Sequence, residues 1–71
     1  MSGTIQSIVF DPKHYHPIIA QKWLHEHGYH PIKEVHRTEN QLRYRLSPPD
    51  FKRYTTKKLN RGISFVIGFR E

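Results

Sequence analysis

Leu42-Arg43-Tyr44-Arg45-Leu46-Ser47 alternates apolar and polar side chains without a break. Successive side chains of a strand point to opposite sides. The spacing therefore predicts a half-buried strand with Leu42, Tyr44 and Leu46 on a core and Arg43 and Arg45 facing outward. Such a strand belongs to a sheet with one apolar face and one basic face.

Upstream, Thr38-Glu39-Asn40-Gln41 is polar and suits a hairpin turn, and Pro31 to Arg37 reads as the strand before it. Ile32 and Val35 are three apart there, which does not keep both on one face and implies a bulge or a change of face. Between Pro17 and His27, Ile19, Ala20, Trp23, Leu24 and His27 recur at helical spacing, with Gln21, Lys22, His25 and Glu26 on or near the wet side. Pro17 suits a first helical turn. Gly28 suits a left-handed cap after the last one. His16 stands where Ser, Thr or Asp would normally cap, so the helix start is expected to be poorly capped. Ile5 to Phe10 is β-branched and apolar on both sides and stops at Asp11-Pro12, which predicts an interior strand.

Downstream, Ser47-Pro48-Pro49-Asp50 cannot continue a strand, and a short helical turn is expected through Phe51 to Arg53. Tyr54 to Leu59 and Ile63 to Phe69 flank Asn60-Arg61-Gly62, a pattern suited to a terminal hairpin with a bulge. Tyr44, Phe51, Phe65, Phe69 and Trp23 are expected in the core. The sum over residues 1–71 is a single α+β domain: one helix packed on a four- to five-stranded mixed or antiparallel sheet in the order β-α-β-β-β-β. The helix covers one face and leaves the other open.

Seventy-one residues give little room for both a packed core and a closed cleft. A chain of this length buries roughly 60% of its unfolded surface. There is no cysteine, hence no disulfide framework, zinc ribbon or thiol chemistry. Met1-Ser2-Gly3-Thr4 does not read as a leader, and Ile63 to Phe69 is too short to span a bilayer. The expectation is a protein that is neither secreted nor held in a membrane.

Six histidines draw attention, with His14/His16 and His25/His27 as H-x-H pairs and His30 and His36 nearby. Each helical residue turns about 100°, so His25 and His27 diverge and do not share a metal. The carboxylates Asp11, Glu26, Glu34, Glu39, Asp50 and Glu71 form no pair on one face. The serines have no nucleophile-elbow context, and Gly62 and Gly68 make no phosphate loop. Neither catalytic chemistry nor a cofactor is expected.

The placement of positive charge is more informative. Twelve Lys and Arg stand against six Asp and Glu, a formal +6. From Arg43 to Arg61, seven bases (Arg43, Arg45, Lys52, Arg53, Lys57, Lys58 and Arg61) face Asp50 alone, which is again a net +6. These seven are the expected nucleic-acid contacts, gathered by the later strands and the terminal hairpin. Tyr54 and His36 are aromatic neighbours able to stack on bases. A largely sequence-independent mode implies a log–log salt slope of about −3 to −6 if most of them neutralise phosphates. The same charges also suit an acidic protein surface, or guard an edge strand against pairing. A protein–protein or virion-structural module, including a homodimer built on the open face or an edge strand, or an inhibitor of a host factor that uses the basic hairpin, is the competing expectation.

The run from Ile5-Gln6-Ser7-Ile8 through Trp23-Leu24-His25-Glu26-His27-Gly28-Tyr29, Leu42-Arg43-Tyr44-Arg45, Phe51 to Leu59 and Gly62-Ile63 resembles a short, uncharacterised domain of tailed bacteriophages and large DNA viruses. Its most specific parts are W-L-x-x-H-G and T-K-K-L-x-x-G-I. The resemblance spans nearly the whole chain and implies a viral protein acting in the cytoplasm or nucleus of an infected cell, or in a virion. It assigns no activity and no functional residues. His16 and His25 depart from the family pattern, which has Ser or Thr before the helix-opening proline and more lysine on the helix.

Overall fold

The computed structural model describes residues 3–70. Met1, Ser2 and Glu71 lie outside them, and with them part of the leader reading and the last of the carboxylates. The elements are β1 (Thr4–Phe10), α1 (Pro17–Glu26), β2 (His36–Arg37), β3 (Leu42–Arg45), β4 (Arg53–Asn60) and β5 (Ile63–Phe69). The strands form one sheet in the order β2-β3-β1-β5-β4, every neighbouring pair antiparallel. The first strand is thus central, as its two apolar sides predict. The β3–β1 and β1–β5 registers align Tyr44, Ile8 and Phe65 in one row and Leu42, Phe10 and Ile63 in the next.

Those two rows form the face that α1 covers. Ile8, Phe10, Leu42, Tyr44 and Ile63 are buried there with Ala20 and Leu24 from the helix. Phe10 is the hub, with ring centroids 5.3 Å from Tyr15, 5.7 Å from Trp23 and 5.6 Å from Tyr44, all edge to face. Such contacts are worth about 0.5–1.5 kcal/mol each beyond area burial. Trp23 is half-buried and also stacks on His27 at 3.8 Å, so that histidine shields the indole from water. Phe51, Phe65 and Phe69 are half-buried, and only Phe65 of the three packs against the central cluster.

Several local expectations are corrected. Helix α1 is well started: His16 Nδ1 accepts the Ile18 N–H at 3.2 Å, doing what a Ser or Asp oxygen does at a cap. Ile19 does not join the buried stripe and is 52% exposed, because the helix rests on the sheet through Ala20 and Leu24. The second strand keeps two residues of the seven expected. Pro31 lacks an N–H and Ile32 and Val35 cannot share a face, so the segment makes one hydrogen bond to β3, Ile32 N–H to Arg45 O at 2.9 Å, without forming a ladder. No helical turn follows Pro48-Pro49. The chain bends there, and β4 starts one residue earlier than expected and runs for eight. The terminal hairpin has its bulge at Leu59. Gly62 serves a close approach instead of a left-handed turn: a Cβ on it would lie 2.6 Å from the Tyr15 ring.

Burial pushes the Tyr44 phenol above its ordinary 10.0, with the Arg37 charge pulling the other way. Its hydroxyl donates to Pro17 O at 3.3 Å. The folded state therefore holds this proton more tightly than the unfolded chain does. The stability it contributes is intact below pH 10 and is lost as pH rises through the folded value. The thermal midpoint should fall on the alkaline side of the tyrosine range, and Tyr44→Phe should flatten that fall; an unchanged alkaline slope in the variant would assign it elsewhere.

Candidate nucleic-acid interface

The sheet face turned away from α1 is built by strand alternation. Opposite partners project to the same side, so the registers place His36, Arg43, Val9, Ser64 and Lys58 in one row across the five strands. Arg45, Ser7, Val66 and Thr56 form the next row, and Tyr54 lies beside Gly68 at the end. The two inner strands carry small side chains and the flanking strands long ones. The result is a furrow with Arg43 and Arg45 on one bank and Lys58, Thr56 and Tyr54 on the other. Between β3 and β4 lie three strand spacings, about 14 Å.

The furrow floor is polar and internally satisfied. A bulge in β1 inserts Gln6 between the Ile5–Ile67 and Ser7–Val66 pairs. This brings Gln6 and Ser7 to the same side, both buried. Ser7 Oγ donates to Gln6 Oε1 at 2.6 Å, and Gln6 Nε2 donates to Ser47 O at 2.9 Å. A shallow depression of about 390 Å³ lies over this floor, lined by Gln6, Arg43, Arg45, Tyr54 and Val66 among others. Phe51 seats its ring on Gly68, where a Cβ would clash, and meets the Tyr54 ring at 5.8 Å and 78°. Tyr54 keeps 44% of its surface exposed.

No carboxylate lies in any of the five strands. Among the described residues the ion pairs are Asp11 with His14 at 4.0 Å and Asp50 with Arg70 at 3.3 Å. Arg43 and Arg45 are therefore not neutralised by an acid of the described chain, and the buried Nε of Arg43 has no hydrogen-bond partner there. The sheet positions two cations and leaves their charge uncompensated.

The seven sequence-selected bases are not all brought together. Arg43, Arg45 and Lys58 share the open face. Lys57, paired with Phe65, and Arg53, paired with Phe69, project to the helix side of β4, and Arg53 lies over the Phe69 ring at 4.5 Å. Lys52 directly precedes β4, its N–H donating to Phe69 O at 2.8 Å. Arg61 sits in the two-residue hairpin loop, near Lys58 around a smaller depression. Gathering all seven on one surface is thus corrected by the period of the strand itself. His36 is placed beside Arg43 on the open face. Gln6, Ser7 and Val66 carry no local sequence signal of this role, since a furrow floor is a product of register.

The histidines diverge as their spacing predicts: His27 Nδ1 meets Trp23 O at 2.8 Å while His25 turns toward His30. No group of three or more metal-ligating side chains is found among the described residues. No helix there is long and apolar enough to cross a membrane. The chain matches no protein-family model, no curated protein and no solved structure.

Proposed function

We propose that this protein is a small non-catalytic module, of viral origin as its motifs suggest, that binds nucleic acid through the open face of its sheet, largely independently of sequence. The observation that carries the reading is the pair Arg43 and Arg45, side by side on one bank of a furrow whose strands carry no carboxylate, with Lys58 opposite. Phosphates are the complement of guanidinium groups held without a partner. The floor supports sequence tolerance: both ends of the Gln6 amide are already engaged by Ser7 and Ser47, so it is poorly placed to read base edges. The loss of Lys57 and Arg53 from this face lowers the number of phosphates in play. With Arg43, Arg45, Lys58 and Arg61 as contacts, the log–log slope of affinity against salt for a single strand should be about −2 to −3. Fluorescence anisotropy of a labelled oligonucleotide across salt concentrations tests this. A flat salt profile, or no binding at low salt, removes the proposal.

The eight-residue β4, with β5 as its one sheet neighbour, favours a second reading in which a further copy pairs along that strand. Light scattering across protein concentrations separates the two: a stable dimer that does not retain oligonucleotide supports pairing alone.

A further inference from the structure

We infer that the furrow takes single-stranded nucleic acid in preference to duplex, its backbone running along β3 and its bases lying across the sheet toward Tyr54; this rests on the nucleic-acid reading above. Arg43 and Arg45 are two residues apart on one strand, a separation of about 6.8 Å, close to the phosphate repeat of an extended nucleotide chain. Two successive phosphates can therefore each meet a guanidinium.

From β3 the furrow crosses the small side chains of Ser7, Val9, Ser64 and Val66 before it meets Tyr54, Thr56 and Lys58. Ser7 and Val66 are buried in that floor, and the half-buried Val9 and Ser64 leave a low surface over which unstacked bases can lie. At its end Tyr54 offers an exposed ring fixed in orientation by Phe51. A duplex hides its base faces in its own stack and cannot use that ring, and it is too wide to settle between banks about 14 Å apart. Nor does the fold offer a duplex reader: α1 packs its buried side on the sheet, and the β4–β5 loop carries one base, Arg61. The four residues of β3 give the backbone room for about two phosphates at that repeat.

The test compares a labelled oligothymidylate and a mixed-sequence duplex of equal length at one low salt concentration, using the full chain and the variants Tyr54→Leu and Tyr54→Trp. Their thermal midpoints establish that each is folded. The expected result is at least about tenfold tighter binding of the single strand. Tyr54→Leu should weaken it roughly five- to a hundredfold, leave the duplex unchanged, and have no counterpart in Tyr54→Trp. Equal or tighter duplex binding overturns the inference and leaves the nucleic-acid reading standing, as does a folded Tyr54→Leu with unaltered single-strand affinity. Failure of both oligonucleotides to bind removes the two together. Should Tyr54→Leu not fold, the single-strand and duplex affinities of the unmodified chain decide alone.

Discussion

Reversing three charges at once, Arg43→Glu with Arg45→Glu and Lys58→Glu, is expected to abolish oligonucleotide binding, a loss on the order of a thousandfold, while a cooperative thermal transition remains. Hydrogen bonds to charged groups are worth about 1.5–3 kcal/mol each, and the new carboxylates add repulsion where attraction stood. Folding should tolerate the change because none of the three cations holds an ion pair among the described residues. The informative control is Lys57→Glu. It alters the neighbouring residue of the same strand and projects to the opposite side. Near-normal affinity for that variant, measured at the same salt, would locate the effect on one face. An equal loss from Lys57→Glu and from Lys58→Glu taken singly would mean that bulk charge governs binding, and the furrow would have no part in it.

Phe10→Ala should leave the chain largely unfolded at room temperature. Phe10 is fully buried and touches three other rings, and removing such a side chain costs about 3–5 kcal/mol in transfer and cavity terms. A single small core rarely supplies more than about 3–5 kcal/mol of net stability. The two magnitudes are equal, so the substitution consumes the margin. Circular dichroism should show loss of the thermal transition, and Phe10→Leu should retain one at a lower midpoint. A folded Phe10→Ala with a cooperative transition would mean that the core is held elsewhere.

The readable parts of the fold were those where one side of an element meets the core and the other meets water. Leu42-Arg43-Tyr44-Arg45 is such a case: each side chain lies on the side its alternation predicts. Ile5 to Phe10, buried from both directions, announced its central position in the same way. Arg53 to Asn60 gave a weaker signal, since an edge strand exposed along its whole length has no reason to alternate. Pro31 to Val35 misled, because its β-branched residues suit a strand locally while the missing N–H and the spacing of three deny it a ladder.

At the site, the basic excess was legible and its partition was not. Lys57 and Lys58 look like one cluster in the sequence, yet adjacent residues of a strand face apart once β4 is extended. The floor of the furrow was hidden for a different reason. It depends on which residues stand opposite one another across β3, β1, β5 and β4, and on one inserted residue at Gln6. Cross-strand alignment of that kind is long-range information. The His16 cap was hidden too, since imidazole nitrogens rarely take the role of a hydroxyl or carboxylate oxygen there.

The two margins of the sheet are unequal. On one side β2 stops after two residues, and on the other β4 runs for eight. Along the longer margin every second amide and carbonyl is aimed at solvent, and Lys57 and Lys58 there set like charges against each other on any two copies that approach along that strand. Ionic strength then acts on the molecule in two opposed ways. On the proposed function, screening that loosens a polyanion from the furrow would also weaken the repulsion between copies approaching along β4.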